Sequence, residues 1–294
     1  MRFFKETHID FMKYRKVIYI LSLSVVVIGM IIFFLRGPAN FGIDFTGGTL
    51  VRCKFTQVVD TGNMRNSLKE GGLSESIIQS YAEGKGILIR TSGEKRKEIE
   101  EIINKKFSSF NPTIEEEITI GPVVGALLKK QAILAIIFAL VGILLYTAWR
   151  FEFVWAFSAV LMLFHDALFM VGMFAITKRE ISLSVIAAIL TVLGYSINDT
   201  IVVFDRIREN VKISRGKPFP EVINASINQT LSRTTITSFT TLLPVFALLF
   251  LGGPVIKDFA FALAIGIIEG TYSSIYIAAP LIIELSKVFK IKHR

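Results

Sequence analysis

Six stretches of this chain are long and apolar enough to cross a bilayer, and most polar residues fall between them. The runs are 17–35, 132–148, 153–176, 181–204, 235–251 and 259–283. A hydrocarbon core of about 30 Å needs about 20 helical residues at 1.5 Å each, so each run predicts a transmembrane helix. The two shortest, 132–148 and 235–251, follow amphipathic or polar segments able to extend them into the interface. Between the first and second runs the period changes. Alternation predicts strands at 49–56, 76–82, 87–91 and 113–120, and helical spacing covers 60–70 and 94–107, with a turn at Gly84, Lys85 and Gly86. Strand, helix, strand, strand, helix, strand is the split βαβ, ferredoxin-like order.

The expected fold class is a polytopic α-helical membrane protein with six transmembrane helices and an extracytoplasmic α+β ferredoxin-like domain inserted between helices 1 and 2. The expected divisions are 1–36 (N-terminus and helix 1), 37–125 (the inserted domain), 126–285 (helices 2 to 6) and 286–294 (the tail). Within the third, the basic loop 205–231 turns mildly amphipathic after Pro218, which predicts an interfacial helix, a docking surface or a solvated connector.

Composition agrees with a membrane protein: 294 residues, 52% hydrophobic, 19% charged, and a mean hydropathy of +0.57. The net charge of +9 sits mainly beside the spans. Arg2, Lys5, Lys13, Arg15 and Lys16 precede the first. Arg150, then Arg206, Arg208, Lys212, Arg215 and Lys217, then Lys287, Lys290, Lys292 and Arg294 fall on alternate ends; Lys129, Lys130, Lys178, Arg179 and Lys257 flank the others. The richer side is retained in the cytoplasm, which places both termini there and domain 37–125 outside. The charge is therefore a topology signal with attraction to anionic lipid, and nucleic-acid binding is not expected. The first span reads as an uncleaved anchor: its core is too long for a signal peptide, and Pro38 spoils the Gly37, Pro38, Ala39 cleavage pattern. Cys53 is the only cysteine, so no internal disulfide or cysteine metal cluster is possible, and it reads as a small buried side chain.

The costly residue is Asp199, inside an apolar run. A carboxylate there costs roughly 2.5 to 3.5 kcal/mol on insertion scales, so ion or proton handling is the first hypothesis and interhelical glue the second. It lies about 9 Å from the Asp205 boundary, too deep to snorkel. Thr191, Tyr195 and Asn198 form a polar stripe on the same helix. Arg233 opens the hydroxyl-rich fifth span at a similar depth. A bond between Asp199 and Arg233 that breaks and re-forms would gate a proton, whereas an arginine at a helix end also snorkels to phosphate. His165 and Asp166 in the third span and Glu269 in the sixth read either as a relay or as structural hydrogen bonds. Adjacent residues diverge by about 100° on a helix, so His165 and Asp166 are not expected to face one partner. Gly266, Gly270 and Ser274 make a small-residue packing stripe.

Hydrolase and nucleotide signatures (HExxH, GxSxG, GxxxxGK[ST]) are absent from the sequence. Gly47 and Gly48 precede a strand rather than a helix, so they do not cradle phosphate. Asp166 with Asp199 is a poor aspartyl-protease pair because neither helix has a glycine-rich opening for substrate backbone. No enzyme activity is expected.

FGIDFTGGTL at 41–50, FHD at 164–166, SINDTIVVFDRIREN at 196–210, LSRTTITS at 231–238 and GTYSSIY at 270–276 together resemble the SecF side of the SecD/SecF family of bacterial Sec protein export, within the RND-like superfamily. The resemblance covers nearly the whole chain. It implies a six-helix half in the bacterial cytoplasmic membrane, pseudosymmetrically paired with a SecD-like subunit that brings its own essential aspartate. It implies use of the proton motive force to pull secreted polypeptide across after the SecYEG channel and SecA have started it. The implied energy source is the proton gradient, with no cofactor, and the family's aspartate and arginine fall on Asp199 and Arg233. Glu269 carries no role from the family pattern. The alternative on the same scaffold is half of an RND-type proton-coupled solute efflux permease, for which one compact external α/β unit is small. A third reading, a structural scaffold, leaves Asp199 replaceable.

Overall fold

The computed structural model describes residues 7–214 and 216–289. Of the charge pattern, Arg2, Lys5, Arg215, Lys290, Lys292 and Arg294 lie outside the described residues. In chain order the elements begin with α1 (Arg15–Arg36), α2 (Ile43–Thr46), β1 (Gly48–Lys54), α3 (Thr61–Glu70), β2 (Ile77–Tyr81), β3 (Gly86–Thr91), α4 (Arg96–Lys106) and β4 (Thr113–Ile120). They continue with α5 (Pro122–Arg150), α6 (Phe153–Ile176), α7 (Leu183–Ile213), α8 (Phe219–Leu251), α9 (Pro254–Ser273) and α10 (Ala279–Val288). A π-helical turn, Ser274–Ala278, joins the last two. Among the described residues six helical segments are long and apolar enough to cross a membrane, the sixth running through α9 and α10. A single chain crosses hydrocarbon as helix because only then does every backbone group find a partner inside its own segment.

Two compact units result, Phe41–Ile133 and Met1–Asn40 with Leu134–Arg294. The first extends past the expected boundary at 125, since α5 starts at Pro122, directly after β4.

In the unit Phe41–Ile133 the sheet order is β2-β3-β1-β4, with all three pairings antiparallel. This is the topology that strand-helix-strand-strand-helix-strand order predicts. Alternate residues Val51, Cys53, Ile87 and Ile89 face Met64 and Leu68 of α3 and Ile99 and Ile103 of α4, all buried in one core. Asp60 caps α3 by accepting from the Asn63 N–H at 2.9 Å. Gly48 has φ +121°, and a Cβ there would meet the Thr91 carbonyl oxygen at 2.4 Å. Glycine is therefore required at the start of β1. Cys53 is buried, and burial pushes its thiol up to about 11.

The membrane unit departs from the sequence expectation in one respect. The expected interfacial segment after Pro218 and the span at 235–251 form a single helix, α8, with Pro218 at its N-cap. Beyond Pro220 nothing breaks the helix before Pro244, and Val222, Ile223, Ser226, Ile227, Thr230 and Thr234 keep one face buried throughout. At one end of the bundle Arg15 pairs with Glu284 at 3.5 Å and Arg150 with Asp205 at 3.0 Å. Asn224 and Asn228 of α8 bond the backbone of Phe11 and Ile9 there, each at 2.8 Å. At the other end Arg36 donates to the Ala175 carbonyl at 3.1 Å, and Arg179 pairs with Asp258. Helices α1 and α6 meet backbone to backbone: a Cβ on Gly29 would lie 2.6 Å from the Gly172 Cα.

Candidate functional site

Helix α7 turns Ser196, Asp199 and Thr200 inward, at the i, i+3, i+4 spacing of one face. Asp199 is 3% exposed. The stripe Thr191, Tyr195, Asn198 lies on the other side, with Thr191 and Asn198 exposed and Tyr195 half-buried. Asp199 and Asn198 therefore face different surroundings.

The expected direct pairing of Asp199 with Arg233 is absent. Among the described residues no ion pair joins them, and the Asp199 Oδ2 atom is buried without a hydrogen-bond partner. Helical periodicity explains this. Thr234 and Ser238 are the buried residues of that part of α8, so Arg233, about 100° away from Thr234, is exposed. Arg233 nevertheless reaches the carboxylate through its charge, and Ser238 through a side-chain hydrogen bond. Ser238 belongs to a hydroxyl cluster: its Oγ bonds Thr271 Oγ1 at 2.6 Å, and Tyr195 Oη donates to it at 3.5 Å.

A second cluster lies in the same bundle. Contrary to the expected divergence, His165 and Asp166 both reach one centre: the His165 Nδ1 is 3.3 Å from Asp166 Oδ1 and 3.6 Å from Glu269 Oε1. Although their Cβ vectors diverge by about 100°, donor atoms of both lie within 4.8 Å of one on Glu269 of α9. Asp166 is fully buried; its Oδ2 accepts from Ser196 at 2.7 Å and from Ser273 at 2.9 Å. The His165 Nε2 bonds Ser22 of α1 at 2.8 Å. The Glu269 Oε1 is buried without a hydrogen-bond partner.

Sequence reasoning missed Ser22, Ser196 and Ser273. The available signal was spacing: Ser196 lies three residues before Asp199 and Ser273 four after Glu269, each on the face of its carboxylate. Gly266 and Gly270 let α9 approach α7. A Cβ on Gly266 would meet a Val192 methyl at 2.6 Å, and one on Gly270 the Ser196 Cβ at 2.9 Å. Ser274 instead turns its hydroxyl onto the Thr271 carbonyl at 3.0 Å, where the π-turn begins. Such turns recur at functional positions in helices. Among the described residues no side-chain hydrogen bond joins the Asp199 cluster to the His165 cluster.

Comparison with known proteins places the chain. The family described as "Protein export membrane protein SecD/SecF, C-terminal" matches residues 99–288, and the SecD/SecF GG motif matches residues 32–57. The protein translocase subunit SecF of Thermodesulfovibrio yellowstonii is 40% identical over 98% of both chains. That of Desulfurispirillum indicum is 44% identical over 94% of this chain and 91% of its own. A crystal structure of SecDF from Thermus thermophilus, described as a translocon-associated membrane protein, superposes with a TM-score of 0.89 at 38% identity, covering 96% of this chain and 39% of that longer one. The super-membrane-facing form of SecDF gives 0.73 over 98% of this chain. This multi-pass membrane protein belongs to the SecD/SecF family of protein export membrane proteins.

Proposed function

We infer that the chain is a Sec protein-export accessory subunit that lets protons from the proton motive force act through Asp199, and so biases its external domain between holding and releasing a translocating polypeptide. The observation that carries this is the buried Asp199 carboxylate with one oxygen unpartnered, within the field of an arginine that does not bond it. A carboxylate locked to arginine stays ionised, whereas one left free at this depth has a strong reason to take a proton. Asn198, exposed on the same turn, would face what a partner subunit supplies. About 150 mV delivers roughly 3.5 kcal/mol per charge. A proton shifts the domain only by its differential affinity for the two states, and that supply is sufficient for such a shift.

A relay through His165, Asp166 and Glu269 would need a link to Asp199 that no side-chain hydrogen bond among the described residues supplies, so the reading rests on Asp199 and Arg233. The match to a part of SecDF, 39% of its length, supports a SecD-like partner for the remainder, with SecYEG and SecA as the machinery served. Two SecDF structures align with TM-scores of 0.89 and 0.73 at the same 38% identity, which supports more than one arrangement among SecDF proteins. The positive flanks support a topology with both termini on the cytoplasmic side of a bacterial inner membrane. Efflux is not favoured, since the relatives named above are translocase subunits.

The test is precursor export in inverted vesicles under an imposed proton gradient, with the partner present. Asp199→Asn is expected to abolish the gradient-dependent part of export while precursor engagement persists. Unchanged gradient dependence overturns the proton reading, and dye accumulation without an export defect in cells lacking the protein would favour efflux.

A further inference from the structure

We propose that His165, Asp166 and Glu269 form a binding site for a divalent first-row transition-metal ion, distinct from Asp199. Their donor atoms, one nitrogen and two carboxylate oxygens, lie within 4.8 Å of one another. Hydrogen bonding accounts for only part of the arrangement. His165 Nδ1 makes a long hydrogen bond to Asp166 Oδ1 at 3.3 Å, and the 3.6 Å to Glu269 Oε1 lies beyond one. Both values also approximate the spacing of ligands around a shared ion, since donors about 2.1 Å from a metal at tetrahedral angles sit about 3.4 Å apart.

The unpartnered atom points the same way. Glu269 is 6% exposed, and its Oε1 has no hydrogen-bond partner while facing the imidazole. A buried acceptor left in that state is expensive unless a cation completes it.

Each of the other two ligands is held from behind, as metal ligands are. Ser22 holds the far ring nitrogen of His165, which orients the ring and aims Nδ1 at the centre. Ser196 and Ser273 hold Asp166 Oδ2, leaving Oδ1 on the metal side. Charge agrees: among the described residues neither carboxylate pairs with lysine or arginine, and their only ion-pair partner is His165. A dication with a neutral imidazole balances two carboxylates. An N/O donor set without thiolate suits borderline ions such as Zn²⁺ or Co²⁺.

The probe is Co²⁺ alone, added to the full chain with its partner in nanodiscs, purified without a histidine tag and with no gradient or precursor present. Expected is one Co²⁺ per chain with a ligand-field band in the visible, displaced by Zn²⁺. Glu269→Gln is expected to weaken binding at least tenfold; this side chain carries no hydrogen bond through Oε1, so the fold is retained, which thermal unfolding checks. Ser273→Ala weakens it on the order of tenfold through Asp166. Asp199→Asn leaves it unchanged, so this result is independent of the proton reading. Absence of stoichiometric Co²⁺, or equal affinity in the wild type and a folded Glu269→Gln, overturns the site.

Discussion

Two aspartates lie buried among the helices of one membrane unit, and they are treated in opposite ways. Asp166 has both oxygens engaged, one by the hydroxyls of Ser196 and Ser273 and the other beside His165. Asp199 is 3% exposed, yet its Oδ2 has no partner and its arginine stands off. Burial alone therefore does not show which of the two acids is poised to change its state without a bound ion; satisfaction does. A buried acid bonded on every side fixes helices in place, whereas one with an idle oxygen keeps a second state within reach.

The largest expected effect comes from neutralising each in turn. Asp199→Asn removes gradient-driven export with a stability change within about 1 kcal/mol, because no hydrogen bond through Oδ2 is lost. Asp166→Ala does the reverse, destabilising the bundle by about 3 kcal/mol as Ser196 and Ser273 lose their acceptor. Thermal unfolding in detergent set beside export activity reads both, and equal behaviour of the two variants would erase the distinction. Next is Arg233. If its field rather than a directed bond matters, Arg233→Lys keeps most gradient-dependent export and Arg233→Gln loses it; equal loss in both would mean that guanidinium geometry is required. A smaller effect follows from Gly270→Ala, whose methyl would press on Ser196 at 2.9 Å. It should cost about 1–3 kcal/mol and reach Asp166 before Asp199.

The smallest effect lies in the other unit. With its thiol raised to about 11 by burial, Cys53 should react with maleimide at pH 8 only when that domain unfolds. The sign is that of a group raised by folding. Its stabilisation is complete below the unfolded thiol value, about 8.5, and is lost as the pH climbs through about 11. Denaturant titrations at rising pH check it.

The helical spans and the sheet order were legible because hydrophobic period and turn residues determine them locally. Asp199 was legible for the same reason, as an anomaly in an apolar run. Its relation to Arg233 was not. Depth along a helix follows from counting residues, but azimuth depends on which face the neighbours bury, and α8 buries Thr234 and Ser238. The gathering of Ser22, His165, Asp166, Ser196, Glu269 and Ser273 was hidden likewise, since it joins four helices remote in sequence. Even the unbroken run of α8 was obscured, because a polar half and an apolar half read as two segments where the backbone makes one.

That continuity has a mechanical meaning. From Phe219 to Pro244 the helix spans about 37 Å, and from Arg233 to Pro244 about 16 Å. Proline removes one backbone hydrogen bond and is where a helix bends. Any rotation about Pro244 displaces the Phe219 end about twice as far as Arg233. An ångström of approach toward Asp199 is thus geared up to about two at the tip, close to where Asn224 and Asn228 grip the start of the chain.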